Sequence, residues 1–405
     1  VTKRIILAAT MTLALLTLVA SALVAPAGAR YAAAGGRPAL GTSDSAGSVK
    51  RRCRIVIRKV HHHKRRVRVC HRVKPKVPPA AKVVARAAIG ANSLDAIDSL
   101  AVGDGSVWAV LGDGQKIVRI DAATLQVTAT ITNPLPVEWP PTIAFGEGSI
   151  WLTDPIPGVG SDSPTGALVR IDPATNTVVA TIPVGRSPEG IAFTDGAVWT
   201  ANHRSDQAQV AAPPHTFSVS RVDVASNTAT AQVVVETRAD TGDSWGNFCC
   251  GPQGATAGAG AVWVADATTN DVSRIDPATN SVTAHITNPG HQACGSMAAD
   301  DTSVWLTEGC DAEGLWRIDP ASNSVTATLR LPGIGIDVRS AFGSLWVSTG
   351  ASTGWLNSKN SLTRIDPQAN RAVGRTAVQS PGPLAVGDGV LWMGSGAILL
   401  ELLPA

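Results

Sequence analysis

Residues 170–185 read RIDPATNTVVATIPVG, and the phrase recurs down the chain. RIDPATNSVTAHI stands at 274–286, RIDPASNSVTATL at 317–329 and RIDPQANRAV at 364–373, with looser forms RIDAATLQVTATI at 119–131 and RVDVASNTATAQV at 221–233. Each copy is an alternating run, a polar turn and a second alternating run, which is how two strands of a hairpin are written. Asp, Pro, Thr and Asn in the turn supply side-chain caps and tolerate a left-handed backbone.

Upstream of each phrase lies a second one: a small-apolar run, a Gly/Asp turn, then an apolar residue followed by Trp. The markers are Trp108, Trp151, Trp199, Trp263, Trp305, Trp346 and Trp392, separated by 43, 48, 64, 42, 41 and 46 residues. Seven modules with periods near 40 to 50 residues, one lengthened to 64, each with several short strands, are the signature of a seven-bladed β-propeller of the all-β class. Strand a is exemplified by Gly190–Phe193, b by Ala197–Thr200, c by Val272–Asp276 and d by Val178–Ile182.

The seventh module stops after its third strand, at residues 400–403. Its missing outer strand is expected at the other end of the domain, where residues 82–90 (KVVARAAIG) resemble the d strand of residues 176–185. Such a strand closes the ring without leaving an open edge. The propeller therefore spans residues 82–405.

The chain has 405 residues, 44% hydrophobic and 16% charged, with 39 Gly and 26 Pro. That composition excludes disorder throughout and collagen-like structure. Charge is split unevenly: residues 1–90 hold 19 Lys/Arg and one acid, Asp44, whereas the remainder holds 15 bases against 30 acids. Lys3-Arg4, an apolar run from Ile5 to Ala25 and the small residues Ala27-Gly28-Ala29 read as a secretory signal peptide over residues 1–29. Export to the cell exterior or wall is expected; an uncleaved membrane anchor is the alternative, the run being long enough to span a bilayer.

After a linker (30–49) comes a basic arm over residues 50–80. Its stretch 50–76, KRRCRIVIRKVHHHKRRVRVCHRVKPK, has 13 Lys/Arg and no acid. Its alternation predicts a hairpin turning at His61 and His62, which would set Cys53 opposite Cys70 for a cross-strand disulfide. Charge alone admits attachment to an anionic polymer or a membrane surface, or a solvated spacer. No specific nucleic-acid reader is visible, and a monomer is expected.

All long insertions fall in d–a or b–c connections, which share one face of a propeller. That face is the expected ligand site for a small molecule, glycan or protein. On strand a, seven residues before each Trp, the row reads Ala101, Ala144, Ala192, Thr256, Ala298, Arg339 and Ala385. Arg339 needs a partner there, and Asp337, Asp98 and Glu189 are the available carboxylates. Three residues after the Trp, Asp154, Asn202, Asp266 and Glu308 form an oxygen-rich row of the kind that Mg²⁺ or Ca²⁺ takes, or else cap their own turns. Trp245 and His203 lie in the same loops and are candidate ligand contacts. Cys249, Cys250, Cys294 and Cys310 on this face suit two disulfides in an oxidising compartment, with three connectivities open.

The phrase of residues 170–185 resembles the YVTN-type β-propeller repeat, and Val-Trp-Leu-Thr-Glu of residues 304–308 resembles the streptogramin B (virginiamycin B) lyase repeat. The resemblance implies a propeller. It also implies, as an alternative to a non-catalytic binding module, a metal-dependent carbon–oxygen lyase in which Glu308 and the nearby His291 would act. The family's histidine just before strand a has no counterpart in Ser187-Pro188-Glu189-Gly190, Gln253-Gly254-Ala255 or Cys294-Gly295-Ser296.

Overall fold

The computed structural model describes residues 51–60, 63–72, 77–90, 95–112, 114–134, 141–154, 165–206, 214–239, 251–309, 312–350 and 360–405. They fall into two units, residues 1–75 and 76–405. In the first, β1 (Arg51–Val60) and β2 (His63–Arg72) pair antiparallel with Cys53 opposite Cys70. The signal peptide and the linker lie outside the described residues.

The second unit is seven four-stranded antiparallel sheets, each ordered a-b-c-d. In six of them the four strands follow one another in the chain. The seventh joins Leu384–Gly387, Val390–Ser395 and Ile398–Pro404 to β3 (Ala81–Ala88), whose Ala81 pairs with Pro404 and Ala88 with Ile398. The two ends of the unit thus share one sheet, and Ala80 and Ala81 pack with Trp346, Leu391 and Leu402.

Every marker Trp is at most 2% exposed. Each fills the gap to the following blade: Trp108 meets Ile143 and Leu152 of blade 2, Trp199 meets Val262 and Ile275 of blade 4, and Trp305 meets Val338 and Val347 of blade 6. An indole is large enough to span the wedge that opens between twisted sheets.

The rest of the repeat locks the same seams. The Asp of each Arg-Ile-Asp caps its own c–d turn, as Asp121 does by accepting from Thr124 N and Oγ1 at 2.7 and 2.8 Å. The turn Asn takes a left-handed φ, 57° at Asn176 and 54° at Asn227. The Arg lies over its own blade's Trp, 5.2 Å from the ring centre for Arg170. From there it reaches the next blade's turn: Arg170 donates to Val224 O at 2.7 Å and Asn227 Oδ1 at 2.8 Å, and Arg119, Arg274 and Arg317 repeat the contact on Asn176, Asn323 and Asn370. One side chain therefore packs on the indole of one sector and holds the turn of the next.

Three seams depart from this rule, one of them between blades 6 and 7, where Arg364 Nη1 donates to Ala405 O at 2.8 Å instead of to a turn Asn. At the junction of blades 7 and 1, Glu401 stands opposite Trp392 where the Arg would be, and Leu125 (φ 60°) replaces the turn Asn. Leu125 instead packs on the cluster containing Trp392 and Leu399, so an apolar contact replaces the polar clamp. Between blades 3 and 4, Arg221 donates to Thr230 of its own blade, and Asn280 Oδ1 is buried without a hydrogen-bond partner.

Candidate functional site

The first strands of all seven blades surround a central cavity of about 650 Å³. Asp98, Thr142, Glu189, Gln253, Ser296, Asp337 and Pro383 line it where these strands begin, the end at which the d–a connections arrive. Small residues dominate because seven strands converge on one axis. Gly190 and Gly254 are required: a Cβ on either would run into the backbone of the neighbouring blade.

Arg339 interrupts the small row, and of the three carboxylates available to it the partner is Asp337. Nη1 donates to Asp337 Oδ1 at 2.7 Å and to Val338 O at 2.9 Å, and Nε donates to Leu384 O at 3.1 Å. Asp337, 6% exposed, also accepts from Ser296 Oγ at 2.6 Å, Val338 N at 2.8 Å and Leu384 N at 2.8 Å. This network ties strands a of blades 5, 6 and 7 together around one buried carboxylate. The Arg339 side chain remains 36% exposed and lines the cavity, and among the described residues none bonds Nη2. Glu189, 34% exposed, stands at the same end, with His203 Nε2 at 4.0 Å from its Oε1. The cavity therefore offers a donor on one wall and carboxylates, with Asp98, on the others.

His291 and Glu308, expected on the same loop face, lie apart from this cavity. Glu308, 3% exposed, accepts from Trp316 Nε1 at 2.6 Å and pairs with His291 Nδ1 at 2.5 Å; the His291 ring meets the indole edge-on. Gly314 makes room for this carboxylate, since a Cβ there would overlap Glu308 Oε2. His291 and Glu308 line a recess of about 570 Å³ with Glu313, Thr328 and Arg330, beside the outer strand of blade 5 and sharing no lining residue with the central cavity.

The oxygen-rich row does not converge either. Asn202 is fully buried and donates to Ser218 Oγ and Ser220 Oγ of its own blade, each at 3.0 Å. Asp266, 2% exposed, accepts from Thr268 N and Thr269 N through Oδ1. Its Oδ2 is buried with no donor and faces Glu236, which is itself held by Arg238 through bonds of 2.9 and 2.8 Å. Burial first, then the charge of Glu236, push Asp266 up to about 7. Among the described residues no three His, Cys, Asp or Glu side chains assemble as a metal site, and Asp266 and Glu308 are each engaged in contacts of their own. Asp154 ends strand b of blade 2; its side chain, Trp245, Cys249, Cys250 and Cys310 lie outside the described residues, and Cys294 is buried.

Sequence reading missed Ser296 and the Leu384 backbone as partners of Asp337, Trp316 as the donor to Glu308, and Glu236 and Arg238 beside Asp266. Glu236 and Arg238 carried a faint signal, an acid and a base two residues apart at the end of an otherwise apolar alternating strand.

No family model and no curated protein matches this sequence. Among solved structures, the selenomethionine-substituted virginiamycin B lyase from Staphylococcus aureus is similar, with a TM-score of 0.58 and 14% identity over 80% of this chain and 100% of that chain. At that identity the likeness establishes a common propeller fold.

Proposed function

We propose that the chain is an exported binding module whose ligand site is the end of the central cavity bordered by Arg339, Asp337, Glu189 and Asp98. The observation that carries this reading is Arg339. A guanidinium among alanines, held rigid by a carboxylate and two carbonyls yet one-third open to a cavity, is a pre-positioned donor. Its neighbours fix its orientation, so a ligand oxygen meets it without a cost for ordering the side chain. Glu189 and Asp98 suit ligand hydroxyl or amino groups, and the volume suits a small molecule or the terminal unit of a glycan. Export rests on the leader pattern of residues 3–29, and pairing among Cys249, Cys250, Cys294 and Cys310 belongs to the same reading.

The test is a thermal-shift panel of neutral, amino and acidic sugars and amino acids, each with and without Mg²⁺ or Ca²⁺, on the wild type and on E189Q and R339K. A polar compound that raises the melting temperature of the wild type, and does so less in both variants, supports the proposal. No stabilising compound, or equal shifts in all three proteins, refutes it.

The 2.5 Å pair of His291 and Glu308 favours a second reading, acid–base chemistry of the lyase type in the blade-5 recess. A buried carboxylate on Nδ1 orients the imidazole and leaves Nε2 to a substrate proton. Linearisation of a cyclic depsipeptide by the wild type but not by H291A would support it over the binding module.

A further inference from the structure

We infer that the basic hairpin is a docking face for an anionic lipid bilayer, using Ile55 and Ile57 as apolar contacts and Arg66 and Arg68 as headgroup contacts. In the β1–β2 ladder Ile55 lies opposite Arg68 and Ile57 opposite Arg66. Residues directly opposed across an antiparallel pair, and residues two apart on one strand, share a face. These four side chains therefore form one patch. Both isoleucines are far into solvent, 68% and 61% exposed, and both arginines are exposed beside them.

The register supplies the second observation. Arg51 pairs with Arg72, Arg58 with Arg65 and Lys59 with Lys64, three like-charge pairs in a hairpin of ten-residue strands. Like charges directly opposite each other destabilise a ladder, and a lone two-stranded sheet is marginal to begin with. Residues 50–76 contain no acid to relieve the repulsion. A dense array of negative charge adds attractions that offset this repulsion, so the hairpin gains stability where it binds.

Charge alone fits any polyanion. The exposed isoleucines decide between them: a soluble polymer offers them nothing, whereas the boundary between headgroups and acyl chains takes an apolar side chain and leaves flanking guanidinium groups on the phosphates. This patch shares no residue with the lining of the propeller cavity, and its test does not depend on a ligand for that cavity.

The experiment is co-sedimentation of the full chain with vesicles of phosphatidylcholine alone, or with phosphatidylglycerol as one lipid in three, alongside retention on immobilised polyphosphate. The readout is the ratio of partitioning between the two vesicle types, which cancels any contribution from the apolar leader. The wild type is expected to favour the anionic vesicles. R66Q/R68Q should lose about thirtyfold of that preference, about fivefold per charge near an anionic surface. I55N/I57N should lose about tenfold or more in partitioning into anionic vesicles, with retention on polyphosphate unchanged. Equal partitioning of the wild type into both vesicle types overturns the inference. So does an unaltered I55N/I57N with R66Q/R68Q weakened on vesicles and polyphosphate alike, which would identify a soluble polyanion as the partner.

Discussion

Replacing Asp266 by Asn should stabilise the propeller at pH 8, and by less than half as much at pH 5. Asp266 and Glu236 are buried side by side, and Arg238 is engaged with Glu236 in two bonds and stacked 4.2 Å from the Phe217 ring centre. Ionising both carboxylates is therefore unfavourable, and Asp266 holds its proton up to about 7 against an ordinary value of 3.8. The folded chain binds a proton there that the unfolded chain has released. Between pH 3.8 and about 7 stability falls as pH rises, and above about 7 the full loss is present. Three pH units correspond to about 4 kcal/mol if one group carries all of it, and sharing with Glu236 makes about 2 kcal/mol the expected gain for D266N at pH 8. Asn keeps the acceptor for Thr268 N and Thr269 N and presents an amide donor to Glu236. Urea unfolding followed by tryptophan fluorescence at pH 5, 6, 7 and 8 measures the difference. A D266N protein that is destabilised by the same amount at every pH would refute the shared proton.

The six turn aspartates act with the opposite sign. Hydrogen bonds from the turn hold Asp172 and Asp276 below the usual carboxylate range, so their contribution is present above pH 3.8 and disappears as pH falls through the lower folded value. The stability deficit of D172N should accordingly vanish in acid, as urea midpoints at pH 2.5 and pH 7 would reveal. R170M removes the bonds to Val224 O, Asn227 Oδ1 and Ser149 Oγ and should cost about 2–4 kcal/mol, whereas R221M, which removes a hydrogen bond within its own blade, should cost less than about 1 kcal/mol; comparable losses in the two would dispose of the clamp. Deleting residues 81–88 strips the seventh sheet of its outer strand and should lower the melting temperature by 10 °C or more, on the order expected for losing several packed residues. G314A drives a methyl group into Glu308 and should detach it from Trp316, seen as a shifted indole emission and about 1–3 kcal/mol of lost stability.

The architecture was legible because the repeat carries its own geometry. Asp at the turn, Asn in the left-handed position and Trp in strand b each have a local physical task, so their recurrence counted the blades. The clamp from Arg170 to Asn227 was latent in the same text: both residues recur, but the 57 positions between them reach into the following module. The central site was half legible. Arg339 stood out as a charge in a row of alanines, and Asp337 was within reach on the same strand. Ser296, 41 residues away, and Leu384, 47 residues away, join it only because strands from three blades meet at the axis. Asp266 shows the limit from the other side. Its position in the repeat suggested a ligand oxygen, whereas its chemistry is set by Glu236 of the preceding blade, a contact that no spacing in one module encodes.

A crystal structure of the propeller with the compound that most raises its melting temperature tests the assignment of the site most directly. The account predicts that compound in the central cavity, with an oxygen on Arg339 Nη2 and a donor toward Glu189. Occupancy of the His291–Glu308 recess instead, with the cavity unchanged, would contradict it.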